Sequence, residues 1–330
     1  MDDIRIPSGT TILVTGGAGF IGSNICHALA SHDVRLRVLD NLSTGSLANL
    51  DGLHHELEFV EGDLANLDLV KEAMDGVDFV LHQGALPSVP RSIENPLASH
   101  SANATGTLNV LLAANAAKAH RVVYASSSSV YGDNPQLPKR EDMRPSPISP
   151  YAAAKLAGEH YCRAFFCVHG LETVVLRYFN VFGPRQDPQS QYAAAIPKFI
   201  TALLAGESPT IYGDGEQSRD FTFVDNVVQA NLRALVAPDA PGRVFNIACH
   251  RAMTLNQVLA VLQDILGVRV MPQHAPARPG DVRHSLADIS LARDLLGYEP
   301  TITVEEGLRR TAGYLSALGA AGGRSEIGGT

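Results

Sequence analysis

The sequence predicts an α/β fold in which a doubly wound parallel sheet is followed by a smaller mixed α/β lobe. Short runs rich in β-branched residues alternate with longer amphipathic stretches, which is typical of a parallel sheet covered by helices on both faces. After Arg177 this alternation ends, and proline and glycine divide the chain into shorter segments. We therefore expect a first domain over residues 10–180 and a second lobe over residues 181–318.

The elements of the first domain follow from these patterns. Strands are expected at residues 11–15, 34–39, 57–60, 79–82, 121–125 and 173–177. Proline-free stretches with helical periodicity predict helices at residues 20–31, 64–75, 97–119 and 151–169. Residues 221–248 predict a helix and a strand that rejoin the main sheet, and the glycine-rich segment 319–330 is expected to be disordered.

Composition excludes several classes of protein. The 330 residues carry 26 Lys and Arg against 34 Asp and Glu, so neither a nucleic acid nor an anionic membrane is an expected partner. With 45% hydrophobic residues the chain can bury a substantial core, which excludes disorder of the whole chain. No window approaches the roughly 18 apolar residues of a membrane span, and the acidic amino terminus is unlike a secretory signal. We expect a cytoplasmic protein that binds a small molecule.

The cysteines indicate neither disulfides nor a metal site. Cys26, Cys162, Cys167 and Cys249 form no Cys-x-x-Cys pair, and no His or Cys cluster with ligand spacing accompanies them. A chain of this size does not need disulfides to support its core. We therefore expect reduced thiols and no bound metal.

A glycine loop directly follows the first predicted strand. Its sequence GGAGFIG, from Gly16 to Gly22, satisfies the G-x-G-x-x-G pattern through Gly17, Gly19 and Gly22. Glycine is needed because the backbone must turn sharply and approach a pyrophosphate closely, while the N–H groups at the start of the next helix face the anion. This arrangement of strand, loop and helix predicts a dinucleotide-binding, or Rossmann, domain.

An acidic residue ends the second predicted strand. Asp40 stands about where a carboxylate holds the adenine-side ribose hydroxyls of a dinucleotide. Because this carboxylate would repel a 2′-phosphate, NAD is favoured over NADP. Asp63, after the third strand, is placed to reach the adenine, but it can equally cap the helix predicted at 64–75. The sequence leaves both roles open.

A tyrosine and a lysine with helical spacing follow the fifth strand. Tyr151 and Lys155 share one helix face and would point into the cleft at the carboxyl edge of the sheet. A lysine ammonium and the positive nicotinamide ring both favour the phenolate, so we expect a lowered tyrosine pKa and a base at neutral pH. The serine run 126–129 supplies hydroxyls that can share a proton with the same substrate oxygen, and which serine acts stays open.

Four motifs together resemble the extended short-chain dehydrogenase/reductase family. They are TGGAGFIG at 15–22, a serine patch before VYGD at 130–133, SPYAAAK at 149–155 and RYFNVFGPRQDP at 177–188. Within that family the chain is similar to NAD-dependent nucleotide-sugar C4-epimerases, especially those acting on UDP-N-acetylglucosamine, through SVPRSIENP at 88–96 and YAAAIP at 192–197. The resemblance, which spans about residues 10–318, implies the α/β fold, an NAD cofactor, a UDP-sugar substrate and a homodimer.

The resemblance also implies roles for single residues. It makes Tyr151 the base and Lys155 its partner and a ligand of the nicotinamide ribose, with Ser127 or Ser128 as the proton relay. Implied cofactor contacts are Gly16, Gly19, Phe20, Ile21, Gly22, Asp40, Asn41, Ser43, Gly45, Asp63, Leu64, Gln83, Gly84, Ala85, Asn103 and Tyr178. Implied substrate contacts are Ser88, Ser127, Asn180, Arg219, Arg278, Asp281 and Ser285. The arginines suit a diphosphate because a guanidinium makes paired hydrogen bonds, although each could instead form a surface salt bridge.

Two departures from the family pattern bear on the sugar. Epimerases restricted to UDP-glucose and UDP-galactose often carry a lysine where this chain has Pro87, and a tyrosine where it has Ser285. The first removes one possible cofactor contact. Because a serine leaves volume that a phenol ring would fill, we expect the N-acetyl group of a UDP-N-acetylhexosamine to fit.

The sequence also bears on other functions of this family and on a non-enzymatic role. A 4,6-dehydratase usually has an Asp-Glu pair where this chain has Ser128 and Ser129, so elimination lacks its acid and base. Enzymes of UDP-glucuronate or of dTDP-sugars stay open. A regulator that only senses NAD would not need Tyr151, Lys155 and a strand-end serine together. The alanine-rich faces of the helices at 97–119 and 151–169 suit a dimeric four-helix bundle, but they also suit contacts within the chain.

Overall fold

A parallel sheet forms the centre of the molecule, of which a computed structural model describes residues 4–53, 57–188, 195–277 and 282–325. The strands are β1 (Thr10–Thr15), β2 (Val34–Asp40), β3 (Leu57–Glu61), β4 (Phe79–His82), β5 (Arg121–Ser127), β6 (Glu172–Tyr178), β7 (Val181–Phe182), β8 (Thr210–Tyr212), β9 (Ser218–Asp220), β10 (Thr222–Phe223), β11 (Val244–Ile247), β12 (Ala252–Thr254) and β13 (Gln273–Ala275). Seven of them pair in parallel in the order β11-β6-β5-β4-β1-β2-β3. The predicted doubly wound sheet is confirmed.

Helices cover both faces of this sheet. They are α1 (Phe20–Leu29), α2 (Leu67–Ala73), α3 (Val89–Glu94), α4 (Pro96–His100), α5 (Gly106–Ala116), α6 (Pro150–His169), α7 (Ala195–Leu204), α8 (Val224–Val236), α9 (Leu255–Leu266), α10 (Ser290–Leu296) and α11 (Val304–Ser325). Apolar side chains of α1 and α8 bury one face, and those of α2, α5 and α6 bury the other. Strands buried on both faces explain the near-continuous apolar runs in the sequence.

Two predicted helices differ in detail from the observed ones. The helix expected at 97–119 contains a π-helical turn, Ser101–Thr105, between α4 and α5. The helix expected at 64–75 begins later, because Asn66 caps α2 by accepting a hydrogen bond from the Leu69 N–H at 3.3 Å. The alternative role of Asp63 as the cap of this helix is therefore wrong.

The smaller lobe has its own apolar core. Helices α7, α9 and α11 surround Phe182, Phe199 and Phe223. Phe20, the first residue of α1, packs against this cluster, so the lobe contacts the carboxyl edge of the sheet next to the glycine loop. Before the lobe is complete the chain returns to the sheet through α8 and β11, and β11 pairs with β6.

The carboxyl-terminal helix is longer than the composition suggests. Disorder was expected over 319–330, but α11 continues to Ser325, and residues 326–330 lie outside the described part of the chain. Gly319, Gly322 and Gly323 lower helix propensity without preventing a helix that is already nucleated upstream. Among the described residues, no helix combines the length and apolar character needed to cross a bilayer.

Candidate active site

A cavity of about 470 Å³ opens at the carboxyl edge of the sheet, where β1 to β5 end. Among the predicted residues, its lining contains Gly16, Gly19, Phe20, Ile21, Gly22, Asp40, Asn41, Ser43, Asp63, Leu64, Gln83, Gly84, Ala85, Tyr151, Lys155 and Tyr178. It also contains Leu39, Thr44, Gly62, Leu86, Pro87, Ala98, Ser101, Ala102, Ala125 and Ser126. Segments that are distant in sequence meet here because parallel strands end at one edge of a sheet.

The glycine loop leaves no room for side chains. A Cβ on Gly22 would lie 2.2 Å from the Gly16 carbonyl oxygen, and one on Gly16 would lie 2.6 Å from the Gly84 Cα. Gly16 also has a φ of 67°, a left-handed conformation that favours glycine. Helix α1 begins after Gly19 without a side-chain cap, so its first N–H groups are available to an anion. This cradle fits the pyrophosphate of a dinucleotide.

Asp40 holds the glycine loop and faces the cavity. One carboxylate oxygen accepts a hydrogen bond from the Ala18 N–H at 3.0 Å, and the other accepts one from the Leu42 N–H at 2.8 Å. Burial raises the pKa of Asp40, and these hydrogen bonds oppose the rise. Because a carboxylate has about four acceptor positions, both oxygens can also accept from ribose hydroxyls. Gly45 supports the loop from behind, where an added Cβ would lie 2.8 Å from the Ala18 carbonyl carbon.

The adenine side of the cavity is closed by an amide and a carboxylate. The Asn41 amide donates to Asp63 at 2.8 Å, and the Ala65 N–H donates to the other Asp63 oxygen at 2.8 Å. The Ser43 N–H donates to the Asn41 side-chain oxygen at 3.1 Å. These bonds fix the turns that follow β2 and β3.

Asn103 lies behind the cavity wall and not on it. Its buried side chain accepts from the Leu86 N–H at 2.8 Å and donates to the Leu86 carbonyl at 3.1 Å. The expectation of a direct cofactor contact by Asn103 is therefore not supported by its placement. Its role is to hold the segment that includes Gly84 and Ala85.

A buried histidine that the sequence analysis missed supports the same segment. The His82 ring lies 2.7 Å from Thr15 Oγ1 and 3.0 Å from Thr107 Oγ1, and the Gly84 N–H donates to Thr15 Oγ1 at 3.1 Å. Thr107 donates its only proton to the Asn103 carbonyl at 2.6 Å, so His82 Nε2 must carry a hydrogen. Burial lowers the pKa of His82 to about 3, which keeps the ring neutral.

The wall beside β6 is also held by a side chain that the sequence analysis missed. The Asn231 amide donates to the Tyr178 oxygen at 2.8 Å, and the Tyr178 hydroxyl donates to Gln83 Oε1 at 3.1 Å. Gln83 in turn donates to Asn231 Oδ1 at 3.0 Å. Asn231 lies within α8, and nothing in the sequence of that helix distinguishes it from an ordinary helical residue.

Tyr151 meets a serine at the end of β5. The Ser127 hydroxyl lies near that of Tyr151 and acts to lower its pKa, and Ser127 Oγ accepts from the Ser129 N–H at 3.2 Å. Ser126, by contrast, donates to Glu159 at 2.5 Å. Ser127 and Ser128 are half-buried just beyond the lining residue Ser126. Of the two serines proposed as relays, the geometry favours Ser127.

Lys155 lies on the same helix face but does not lower the pKa of the phenol. Its Nζ donates to the Ala125 carbonyl at 2.9 Å and lies 6.0 Å from the centre of the Tyr151 ring. Burial lowers the pKa of Lys155 to about 7, against the influence of Cys162 and Glu159. Burial also raises the pKa of Tyr151, and Ser127 only opposes that rise. Lys155 alone therefore does not produce the expected lowering of the Tyr151 pKa, which stays a prediction that depends on the nicotinamide ring.

A buried ion pair that the sequence analysis did not predict lies against α6. Arg177 donates two hydrogen bonds to Glu159, at 2.9 and 2.7 Å, and its guanidinium lies 4.7 Å from the centre of the Tyr131 ring. Glu159 is one helical turn beyond Lys155 and also accepts from Ser126. The pair therefore fixes the end of β5 against α6.

A second cavity, of about 250 Å³, lies in the smaller lobe. Its lining includes Asn180 and Arg219, together with Val181, Phe182, Ala195, Ile196, Lys198, Phe199, Thr210, Tyr212, Gln217, Phe221 and Leu255. Arg219 donates to the carbonyls of Ser218 and Arg283, at 2.9 and 3.1 Å. A cavity with cationic side chains and aromatic walls suits an anionic ligand that carries a flat ring.

The remaining predicted substrate residues are placed differently. Ser88 caps α3, since its Oγ accepts from the Arg91 N–H at 3.3 Å. Ser285 is half-buried and donates its N–H to the Ser218 carbonyl at 3.0 Å, so it lies against β9. Neither Ser88 nor Ser285 belongs to the lining of these two cavities. Arg278 and Asp281 lie outside the described residues.

Comparisons with known proteins agree with this geometry. A family model of the NAD dependent epimerase/dehydratase family matches residues 12–248. A UDP-glucose 4-epimerase of Mycolicibacterium smegmatis is 37% identical over 306 residues, which are 92% of this chain and 97% of that protein. A solved UDP-N-acetylglucosamine 4-epimerase from Methanobrevibacter ruminantium, in complex with UDP-N-acetylmuramic acid, is 42% identical, with a TM-score of 0.91 over 94% of this chain and 100% of the other. A UDP-glucuronic acid 4-epimerase from Bacillus cereus, solved with UDP-glucuronic acid and NAD, is 32% identical, with a TM-score of 0.87 over 94% and 100%.

Proposed function

The chain belongs to the NAD-dependent epimerase/dehydratase family and has NAD as its cofactor, and from this we propose that it inverts C4 of a UDP-hexose or UDP-N-acetylhexosamine reversibly. One observation carries the proposal: Tyr151 and Lys155 line the cavity that fits NAD, with the Ser127 hydroxyl near that of Tyr151. The 4-epimerases among its relatives support the same class of reaction.

The residues of this chain would hold NAD along the edge of the sheet. The glycine loop and the start of α1 would bind the pyrophosphate, Asp40 the adenine-side ribose and Lys155 the nicotinamide ribose. When bound, NAD supplies the acceptor and then the donor of the C4 hydride, together with a positive charge that favours the phenolate. A 4-keto sugar is then transient, and the sugar undergoes no net oxidation.

Tyr151 and Ser127 would manage the proton of the sugar 4-hydroxyl. Ser127 shares a hydrogen bond with that oxygen and passes the proton towards Tyr151, which acts as the base. Once Tyr151 has accepted the proton, burial of the phenol favours its protonated form, so the proton stays there until the carbonyl is reduced from its other face. Base and acid are therefore the same side chain at two stages.

Inversion also requires the keto ring to turn while the nucleotide stays bound. Asn180 and Arg219 line the second cavity, at a distance from Tyr151 along the chain but next to the same sheet edge. We assign them to the diphosphate, and Arg278 and Asp281 to the diphosphate and the uridine ribose. Strong contacts to the nucleotide with few contacts to the sugar permit this rotation.

The choice among sugars rests on Ser285. Its side chain is small and half-buried beside β9, which also carries Arg219. We propose that the space left by a serine accepts the acetamido group at C2. The 4-epimerase from Methanobrevibacter ruminantium, which is named for UDP-N-acetylglucosamine, supports this preference.

A substrate panel tests the proposed function directly. Purified protein is mixed with UDP-glucose, UDP-N-acetylglucosamine and UDP-glucuronate in turn, and proton NMR follows the C4 signal. We expect the 4-epimer of at least one of the first two substrates. A 4-keto-6-deoxy product would indicate a dehydratase, inversion or decarboxylation confined to the glucuronate would indicate a uronate enzyme, and no conversion would contradict the proposal.

A second proposal concerns assembly, and it rests on exposed apolar side chains. Leu97 on α4, Leu112 on α5 and Val168 on α6 are 81%, 41% and 75% exposed. We propose that these helices pair with the same helices of a second copy as a four-helix bundle. Val168→Glu should shift the sedimentation coefficient to that of a monomer, whereas Met271→Glu, at an 83% exposed site in the smaller lobe, should not. A monomeric parent protein would refute the dimer.

A further inference from the structure

Asp220 is a buried carboxylate that the proposed mechanism does not use. Its side chain has no exposed surface. One oxygen accepts from the Cys249 N–H at 2.9 Å and the other from the Ala287 N–H at 3.1 Å, and the Arg251 N–H donates to the same carboxylate. One side chain thus ties β9 to two segments that are distant from it in sequence.

These segments adjoin the residues assigned to the substrate. Asp220 directly follows Arg219 in β9, and its carbonyl accepts from the Asn180 amide at 3.3 Å. Ser285 stands two residues before Ala287, whose amide the carboxylate holds. Asp220 is therefore the residue at which these chain segments meet: its carbonyl holds the Asn180 amide, and its carboxylate holds the segment that carries Ser285.

We propose that Asp220 is a positioning residue whose ionised carboxylate holds the segment of Ser285 against β9, beside Arg219 and Asn180, and thereby sets the affinity for the nucleotide part of the substrate. The inference rests on the proposed function, since it takes these three residues as substrate ligands. Asp220 does not touch the reacting atoms. It should therefore affect binding and leave the chemical step unchanged.

Ionisation matters because of what faces the carboxylate. The three backbone N–H groups can only donate, and an ionised carboxylate can only accept, whereas a protonated one presents a hydrogen to one of the donors. Burial raises the pKa of Asp220 to about 6, against the three hydrogen bonds. Affinity for the nucleotide should fall as the pH is lowered through this range.

The same pKa shift acts on global stability with the opposite sign. The pKa of Asp220 is about 6 in the folded protein and 3.8 in its ordinary state, so the folded protein binds this proton more readily. As the pH falls from above 6 towards 3.8, protonation relieves the cost of the buried charge, and this group contributes more stability. A loss of affinity near pH 5.5 is then not an effect of unfolding caused by Asp220.

The other charged and titratable groups around Asp220 are few among the described residues. Burial raises the pKa of Cys249 to about 12 and also raises that of Tyr298, so both side chains stay neutral between pH 5 and 8. The Arg251 guanidinium pairs with Glu305 and does not titrate in this range. The His250 ring, which lies 2.5 Å from the Ala287 carbonyl, also faces the carboxylate and lowers the pKa of Asp220.

Calorimetry with UDP-glucose separates these effects. UDP-glucose has no terminal phosphate and therefore lacks the ionisation that such a group has near pH 6. Its net charge is the same at pH 5.5 and at pH 7.5. Measurements use the NAD-loaded Tyr151→Phe protein to prevent turnover, at pH 5.5 and 7.5. We expect severalfold weaker binding at pH 5.5, and Asp220→Asn should bind roughly tenfold more weakly at pH 7.5 with little dependence on pH. In the protein with Tyr151 restored, Asp220→Asn should raise KM and leave kcat unchanged.

Two controls and the parent profile make the outcome decisive. Asp78 also accepts a hydrogen bond from a backbone amide, that of Thr11 at 2.8 Å, but it lies at the opposite edge of the sheet. Asp78→Asn should therefore bind UDP-glucose as the parent does. His250→Asn should keep the pH dependence. If Asp220→Asn binds UDP-glucose as tightly as the parent at pH 7.5, the inference is wrong. If that variant does not fold, a parent affinity that is the same at pH 5.5 and 7.5 also overturns the inference. Neither result affects the proposed function. Failure of the parent to bind both UDP-glucose and UDP-N-acetylglucosamine, at pH 5.5 and at pH 7.5, overturns the proposed function and this inference with it.

Discussion

The two cavities are built in different ways. Most of the lining of the cofactor cavity lies at or directly after the end of a strand, as in the turn from β1 through Gly16 to α1, and the rest comes from helical residues 98–102 and from α6. The cavity of the smaller lobe instead joins segments such as those of Asn180 and Arg219, through the short pairing of β7 with β10 and the hydrogen bond from the Asn180 amide to the Asp220 carbonyl. The first is built on one continuous sheet, and the second on short contacts between segments that are distant in sequence.

This difference suits the cofactor and the substrate that we propose. Close backbone contacts such as that between Gly16 and Gly84 leave little freedom to relax, so the cofactor cavity is a rigid cradle. A site held by short strand pairings and a few hydrogen bonds would adapt more easily to the proposed substrate, which must enter, turn and leave. Substitutions in the two regions should therefore separate loss of cofactor from loss of substrate.

The largest effect is expected where the two regions meet. Tyr151→Phe removes the hydroxyl near Ser127 but keeps the ring, so NAD and UDP should bind normally. Loss of the general base and acid should lower turnover by roughly 10²- to 10⁴-fold. The rate of C4 inversion by NMR measures this effect.

A tyrosine on the exposed side of the same helix provides the matched control. Tyr161 is 37% exposed, and Tyr161→Phe should keep full activity. Near-normal turnover by Tyr151→Phe would remove the phenol from the mechanism. The cofactor cavity would then have to be reinterpreted without a base.

A smaller effect, confined to the cofactor region, is expected from the glycine loop. In Gly22→Ala the new Cβ would lie 2.2 Å from the Gly16 carbonyl oxygen, and backbone cannot move aside as a flexible side chain does. A steric cost of about 1–3 kcal/mol should weaken NAD binding ten- to a hundredfold, measured by calorimetry of the apoprotein. Binding of UDP in the smaller lobe should be retained.

Gly313→Ala controls for the general effect of adding a methyl group. A Cβ at Gly313 in α11 meets nothing within 4 Å, so the substitution should leave NAD binding unchanged and raise stability slightly. If Gly22→Ala held NAD as tightly as the parent, the cradle would not be the rigid element of the comparison. If it lost UDP as well, the two regions would not be independent.

The sequence revealed most of the site where function and local structure coincide. The glycine loop, Asp40 and the pair Tyr151 and Lys155 were recognisable because each stands at a strand end or at a helical spacing. The direction of the Tyr151 pKa shift could not be predicted from the sequence, because it depends on how deeply the folded chain buries the phenol. Charge proximity alone favoured a lowered pKa, but desolvation is the larger effect here.

The supporting polar residues could not be predicted for a related physical reason. His82, Glu159, Asp220 and Asn231 are polar side chains whose partners lie in other elements, so no periodicity along the chain distinguishes them. The one available signal is a polar residue at a position that the helix or strand pattern assigns to the interior. That signal shows that a partner is needed, but not which residue supplies it.

The smallest effect is expected in the sugar region and concerns selectivity. Ser285→Tyr would place a phenol ring beside β9, where the serine is half-buried. The lost volume should lower kcat/KM for UDP-N-acetylhexosamines by up to roughly tenfold and leave plain UDP-hexoses nearly unaffected. Ser285→Ala, which adds no volume, should treat both classes as the parent does. Equal losses on both classes would refute the proposed space for the acetamido group and would show that Ser285 acts, like Asp220, on the nucleotide.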